Sequence, residues 1–366
     1  MHPYFHYIAL SMVPSIGSIH TKNLIAYCGS AEAVFSQKKN QLLKIPGIGL
    51  YTANNILNAK VCKLAEQEIA FCEKQRIKIL PFIDKDFPKR LLHCADSPIV
   101  LYVKGDIDLN PSKALAIVGT RKATKIGRDF VKEFIANLKS TEVQIVSGLA
   151  LGIDAQAHQS ALTESLETVG VVAHPLNTIY PANHYKLARQ MLENGGGLIS
   201  EYPSSADILP ANFPMRNRII AGLCDAILIV ESAESGGALI TAMAANAYHR
   251  DVFAVPGRYK DKYSQGCHRL IKEHKAQLIE NASDVIEHMA WNIENKKPRK
   301  VQRELALILN ENEEKIVNAL KESDGLETDW LGQTTGLSPG IMANTLLELE
   351  LKGIIYSLPG SRFALN

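Results

Sequence analysis

The chain holds 366 residues, 46% hydrophobic and 21% charged, a balance that suits an ordinary globular protein of two or three domains with length enough for a sizeable core. Forty Lys and Arg face 38 Asp and Glu, so the formal charge of +2 neither demands nor excludes a nucleic-acid partner, and local charge must decide. Six cysteines, Cys28, Cys62, Cys72, Cys94, Cys224 and Cys267, form no Cys-x-x-Cys pair, which argues against a zinc ribbon or a disulfide framework and fits a reducing cytoplasm. Met1 to Gly17 has no basic leader, and no stretch approaches the roughly 18 to 20 apolar residues of a bilayer span, so neither secretion nor membrane insertion is expected.

Residues 4 to 60 read as short helices broken by two similar turns, Val13-Pro14-Ser15-Ile16-Gly17 and Ile45-Pro46-Gly47-Ile48-Gly49. An apolar-Pro-x-Ile-Gly turn ahead of a helical pattern resembles a helix-hairpin-helix, whose glycine turn offers backbone N–H groups to a phosphate without reading sequence. Residues 1 to 60 carry Lys22, Lys38, Lys39, Lys44 and Lys60 against Glu32 alone, a local charge that permits weak DNA contact. Such small helical modules serve equally as packing or protein-interaction units, and both readings stay open for a first domain over 1–65.

From Lys113 to about Ala290, apolar runs of strand length alternate with helical patterns, which implies parallel strands joined by crossover helices in a domain over 66–290. The predicted strands are Leu115 to Val118, Val143 to Ser147, Thr168 to Ala173, Gly197 to Ser200, Ala226 to Val230 and Val252 to Val255. Ligands in such sheets bind beyond the carboxyl ends of the strands. The informative residues gather there: Gly119-Thr120-Arg121-Lys122, Ser147 to Asp154, Tyr180-Pro181-Ala182-Asn183, Ser200-Glu201-Tyr202-Pro203 and Ser235-Gly236-Gly237.

Two anion sites lie one after another between residues 205 and 257. Pro214 suits the first turn of a helix, which puts Arg216 and Arg218 at its positive end. Cations there oppose the macrodipole at a cost of a few tenths to ~1 kcal/mol each, so a pair of them suggests an anion held between arginine forks and free backbone N–H groups. The Ser235-Gly236-Gly237 turn repeats the logic, because a strand runs into glycines that let backbone amides approach a ligand and an alanine-rich helix begins at Ala238. A phosphate-bearing ligand fits both. Burial is the other reading of Arg216, which shares a helical stripe with Ile219, Ile220 and Leu223 and whose head could be tied to a structural carboxylate. Arg218, about 200° away on the wheel, looks freer to reach a ligand. The glycine pair alone is equally compatible with a plain tight turn.

Residues 291–308 break the alternation with Lys296, Lys297, Arg299, Lys300 and Arg303 around Pro298, a solvated linker whose basic run could touch a phosphate backbone. Residues 309–366 give three short helical patterns and a terminal strand pair, Gly353 to Tyr356 and Arg362 to Leu365, the outline of a winged helix. Its would-be recognition helix, Pro339 to Lys352, offers only Asn344, Thr345 and Lys352 as donors and carries Glu348 and Glu350. Nine acids against four bases give this module a net of −5, which a phosphate backbone repels, so it is expected to bind protein.

Several chemistries are missing. No Gly-x-x-x-x-Gly-Lys-[Ser/Thr] loop occurs, the Gly119 turn lacks the dinucleotide fingerprint, and Ala233 stands where a Gly-x-Ser-x-Gly elbow around Ser235 needs glycine. His2 and His6 alone have metal-ligand spacing, near a terminus, and neither a metal nor a cofactor is expected. Asp154 and Glu201 are paired-carboxylate candidates, yet either can cap a helix or accept from an arginine, and no nucleophile has an evident base. The site reads as built to hold a ligand rather than to convert it.

With these residues in hand, the chain resembles the DNA-processing protein A family (DprA, also called Smf) over nearly its whole length. The resemblance rests on Val118-Gly119-Thr120-Arg121, Ser147 to Asp154, Phe213-Pro214-Met215-Arg216-Asn217-Arg218-Ile219-Ile220-Ala221-Gly222, Ser235 to Ala242 and Val252-Phe253-Ala254-Val255-Pro256-Gly257, in that order. The stretch from Asp86-Phe87-Pro88 to Gly105-Asp106 looks like the family's lead-in to its sheet. The resemblance implies an α/β protein, with an extended Rossmann-like, mainly parallel sheet flanked by a small all-α helix-hairpin-helix or sterile-alpha-motif-like first domain and a winged-helix last domain. It further implies a non-catalytic cytoplasmic protein that binds single-stranded DNA, forms a homodimer and helps load RecA recombinase during natural transformation.

Carried onto this sequence, the family's basic pocket comprises Gly119, Thr120, Arg121, Lys122 and Arg128 near the first turn and Arg216, Asn217 and Arg218 on the later helix. Gly148, Ser235, Gly236, Gly237 and Thr241 would add backbone and hydroxyl contacts. Two departures stand out: Gly266-Cys267-His268 replaces the family's usual Gly-Ala-Asn or Gly-x-Asn, and only Tyr180, Tyr202 and Phe213 offer themselves for base stacking. Two rival classes remain. A Rossmann-like nucleotide phosphoribohydrolase would need a Pro-Gly-Gly-x-Gly-Thr loop and a glutamate after it, where this chain has Ser235 to Thr241. A partner-binding scaffold would keep the pocket as a relict.

Overall fold

The computed structural model describes residues 2–291, 309–321, 326–358 and 362–365 and divides into two compact units, 1–292 and 293–366. Of the linker 291–308 only Trp291 is described, so the basic run from Lys296 to Arg303 lies outside the described residues.

Six helices open the larger unit: α1 (Phe5–Ser11), α2 (Ser18–Cys28), α3 (Ala31–Phe35), α4 (Lys39–Leu42), α5 (Leu50–Ile56) and α6 (Ala59–Gln75). Gly17 and Gly49, the last residues of the two similar turns, are the N-caps of α2 and α5. The helices pack into the rest of the unit rather than standing apart from it. Phe5, Ile8 and Leu24 share one core with Val100, Tyr102 and Met191, and the buried Glu68 of α6 accepts from the Ser204 backbone at 2.9 and 2.8 Å.

A nine-stranded sheet forms the body. Its strands are β1 (Lys78–Pro81), β2 (Val100–Gly105), β3 (Ala114–Val118), β4 (Gln144–Ser147), β5 (Thr168–Val171), β6 (Gly197–Ser200), β7 (Ala226–Ile229), β8 (Asp251–Ala254) and β9 (Gln277–Leu278), in the order β1-β2-β6-β5-β4-β3-β7-β8-β9. From β6 to β9 every pairing is parallel, with Leu115 opposite Ile145 on one side and Ala226 on the other. All six predicted strands are present within a residue or two. The stretch read as a lead-in proves to be partly sheet itself, since β2 pairs antiparallel with both β1 and β6.

Parallel strands need helices on both faces, and that is why their sequences are apolar without alternation. Between strands run α7 (Lys89–Leu92), α8 (Lys125–Asn137), α9 (Ile153–Thr163), α10 (Tyr185–Glu193), α11 (Asn212–Leu223), α12 (Gly237–Ala247) and α13 (Gln265–Lys272), and α14 (Ala282–His288) follows β9. Leu115 and Ile117 of β3 bury against Val131 and Phe134 of α8 and Ala157 of α9. Ala114, Ala116 and Val118, pointing the other way, meet Ile219 of α11 and Ala242 of α12.

The smaller unit holds α15 (Glu311–Leu320), β10 (Leu326–Glu327), α16 (Thr328–Thr335), α17 (Pro339–Leu351), β11 (Ile355–Leu358) and β12 (Arg362–Leu365), with sheet order β10-β12-β11. Ile316, Leu331, Met342 and Leu349 form its core, the winged-helix arrangement expected, with one short strand more. Two of the three donors expected on α17 are consumed internally. Thr345 is buried and donates to Ile341 O at 2.8 Å, and Lys352 donates to Glu313 at 2.5 Å.

Candidate functional site

β3 and β7 are neighbours, yet the chain leaves β3 for α8 on one face of the sheet and β7 for α12 on the other. A topological switch point of this kind opens a crevice between the two turns, and here the crevice is a cleft of about 730 Å³. Gly119, Thr120, Arg121 and Lys122 line it from the first turn, Ser235, Gly236, Gly237 and Thr241 from the second, and Arg216 and Asn217 from α11. Gly148 borders a smaller recess of about 50 Å³ beside it. Arg128 and Arg218 do not line the cleft.

The two turns differ in what caps their helices. At α8 the Thr124 hydroxyl accepts from Gly127 N at 3.1 Å, and the Glu231 carboxylate accepts from Thr124 N at 2.9 Å and from its hydroxyl at 2.5 Å. At α12 the N-cap is Gly236, with no side chain to accept the first-turn N–H groups. Asn217 donates to Gly237 O at 3.2 Å and so fixes that turn against α11. The helix-end positive field is therefore neutralised by the protein at α8 and left open at α12.

The arginines of α11 depart from the helix-end expectation. Arg216 is 4% exposed, and its Nη1 donates to Gly148 O at 2.7 Å and to Val171 O, stitching α11 to the ends of β4 and β5. Its head is tied to backbone carbonyls, with buried Asp154 as the nearby countercharge rather than a direct partner. Asp154 accepts from Gly148 N at 3.1 Å and Ala150 N at 3.4 Å. Burial pushes the Asp154 carboxyl up against the pull of Arg216, and it pushes Arg216 down to about 10 against the pull of Asp154. Gly148 lies between them: a Cβ there would stand 2.6 Å from Asp154 Oδ2 and 2.7 Å from Arg216 Nη2.

Arg218 corrects the expectation that it is the freer of the two. Its guanidinium is paired with Glu201, and the side chains are 12% and 16% exposed. The opposite side of α11 is not solvent, because the loop after β6 covers it. Arg128 is exposed on α8 and donates to Ala123 O at 2.7 Å. The two carboxylates that could have formed a catalytic pair are thus spent separately, Asp154 on backbone amides and Glu201 on Arg218.

Arg121 lies with its guanidinium carbon 5.3 Å from the Phe213 ring centre, and Phe213 meets Tyr180 at 5.6 Å. Tyr180 is 47% exposed at the cleft wall. Tyr202 is turned away, its hydroxyl reaching Asn212 O at 3.5 Å. Lys262 and Tyr263 also line the cleft and were not foreseen. The signal was the basic and aromatic run Arg258-Tyr259-Lys260-Asp261-Lys262-Tyr263 after the sixth predicted strand. The departure at Gly266-Cys267-His268 is structural: Gly266 N donates to Ser232 O at 2.9 Å, and Cys267 is buried under β7. Among the described residues no group of three or more His, Cys, Asp or Glu side chains is placed to hold a metal ion, and no helix is long and apolar enough to cross a membrane.

Below the cleft, His158 of α9 is fully buried, and burial, then His184 and Arg216, push its pKa down to about 3. Thr168 gives its hydroxyl proton to Ile145 O at 3.0 Å, so it receives Nδ1–H of His158 at 2.7 Å and the ring is neutral. An unfolded histidine titrates near ~6.5, so below that pH the unfolded chain takes up a proton that the fold refuses. Stability is full above that value and falls as pH drops. The stability advantage of the native chain over His158→Gln is expected to shrink by about 2 kcal/mol between pH 7 and pH 5 in parallel urea titrations; a constant difference would contradict it.

Comparison with known proteins bears on these features together. Residues 78–290 match the family model described as DNA recombination-mediator protein A, and residues 302–361 match the DprA winged helix domain. Protein Smf of Escherichia coli is 35% identical over 305 residues, covering 81% of this chain and 80% of that protein. The X-ray structure of DNA processing protein A from Streptococcus pneumoniae superposes with a TM-score of 0.64 at 31% identity, over 77% of this chain and 97% of the other. DNA processing protein A from Helicobacter pylori, solved for its single-stranded DNA binding mode, superposes with a TM-score of 0.53 at 29% identity, over 59% of this chain and 96% of the other.

Proposed function

We propose, for a chain that belongs to the DNA recombination-mediator protein A family, that it holds single-stranded DNA by the sugar-phosphate backbone in the switch-point cleft, leaves it chemically unchanged, and loads RecA recombinase onto it. The observation that carries this is the open N-terminus of α12 facing Arg121, Lys122 and Lys262 across one cleft, while Asp154, Glu201 and Glu231 are each consumed within the protein. The Helicobacter pylori relative, named for single-stranded DNA binding, supports the choice of ligand. Natural transformation in the cytoplasm, with the protein acting as a homodimer, is the setting the family suggests. The helical segment 1–65 serves as a packing module for the 66–290 body, and the acidic 309–366 module binds protein.

Backbone recognition predicts a particular mutant signature. Each phosphate neutralised on a single strand contributes roughly 0.7 to the slope of log affinity against log salt. Arg121→Ala and Lys122→Ala are each expected to weaken oligothymidylate binding about tenfold, equally for other sequences, and to lower that slope by roughly 0.7. Fluorescence anisotropy across a salt series checks this, and unchanged slopes in both variants would remove the cleft from consideration. RecA filament growth on strands coated with single-strand binding protein should be accelerated by the native chain and not by the double variant; equal acceleration would separate RecA loading from this cleft.

A further inference from the structure

Glu231 lies two residues beyond the end of β7 and holds the opposite turn at two points. Its carbonyl accepts from Thr120 N at 2.7 Å, and its carboxylate takes both the backbone N–H and the hydroxyl of Thr124. Gly127 completes the fit, since a Cβ there would stand 2.5 Å from the carboxyl carbon. A side-chain anion therefore sits where the N-terminus of α8 would otherwise receive a phosphate. Arg121 and Lys122 are strung between the two anchored threonines. No side chain does the same at α12.

We propose that Glu231 is a positioning residue for DNA binding: an internal substitute for a phosphate that closes the α8 slot and holds the 120–124 loop so that Arg121 and Lys122 face the one slot left open at α12. The inference rests on the DNA-cleft reading above. Its consequence has a sign opposite to that of charge alone. Glu231→Ala deletes a negative charge beside a polyanion site, which by Coulomb attraction would tighten binding. Release of the loop instead costs the strand two cations.

The test is oligothymidylate anisotropy over a salt series with the full chain and its Glu231→Ala, Glu231→Gln, Thr124→Val and Arg121→Ala variants. Glu231→Ala is expected to bind at least about tenfold more weakly with a slope lower by up to roughly 1.4, as two phosphates lose their partners. Glu231→Gln keeps an acceptor for Thr124 N and should stay within about threefold of the native chain. Thr124→Val removes the hydroxyl and should weaken binding as Glu231→Ala does, which keeps the test decisive if the alanine variant does not fold. Tighter binding and a steeper slope in Glu231→Ala would overturn the inference, because a freed α8 slot would then be taking a phosphate. Glutamine binding as weakly as alanine would overturn it too. Native affinity in Arg121→Ala sinks the cleft reading itself, a failure distinct from either.

Discussion

Replacing Gly237 with glutamate is expected to abolish single-strand binding while leaving the protein as stable as before or slightly more so. Gly237 is the exposed first residue of α12, and a Cβ there would meet no atom within 4 Å, so the larger side chain fits. A carboxylate in the first turn of a helix stabilises it by about 0.3–1 kcal/mol, so Tm should hold or rise by up to about 3 °C. The same carboxylate occupies the slot and repels the strand, and a loss of at least about 100-fold in affinity, near 2.7 kcal/mol, is expected. Gly237→Ala, which adds bulk without charge, should bind nearly as the native chain does. Calorimetry and anisotropy on the same samples decide it. A glutamate variant that binds normally would mean that no phosphate sits at α12. Together with Glu231→Ala, this variant also gives a paired contrast: an added acid at one turn and a removed acid at the other should both weaken binding.

Much of this architecture was legible because the physics that shapes it is local. Strands buried on both faces are apolar without alternation, and turns at their carboxyl ends must use residues such as Gly119 and Gly236, so the six central strands and the cleft residues on both turns could be read from pattern alone. What escaped depends on neighbours distant in sequence. β9 has only two residues, both exposed, and carries no apolar signal. The wheel placed Arg216 on the buried stripe of α11 but could not say that its partners would be the carbonyls of Gly148 and Val171, 68 and 45 residues away. For Arg218 the wheel gave the right direction and the wrong surroundings, since Glu201 covers that side of the helix. Glu231 stood beside the Ser-Gly-Gly turn in plain view, yet its role lies 107 residues away at Thr124.

Arg216→Met is expected to act on folding rather than on phosphate contact. The side chain is buried, its guanidinium satisfies two carbonyls at the ends of β4 and β5, and its charge offsets that of Asp154, which is 6% exposed. Removing one member of a buried charge pair typically costs about 3–5 kcal/mol, because the survivor is left without compensation. Tm should fall by about 10 °C. Adding Asp154→Asn removes the stranded charge while keeping an acceptor for Gly148 N and Ala150 N, so the double variant should recover at least about 1 kcal/mol, a coupling that independent sites would not show. Below its melting range, Arg216→Met should retain the native salt slope in strand binding, since Arg121, Lys122 and Lys262 still line the cleft. Native stability combined with a slope lowered by roughly 0.7 would reverse this assignment and return Arg216 to the role of phosphate ligand that its place near a helix N-terminus first suggested.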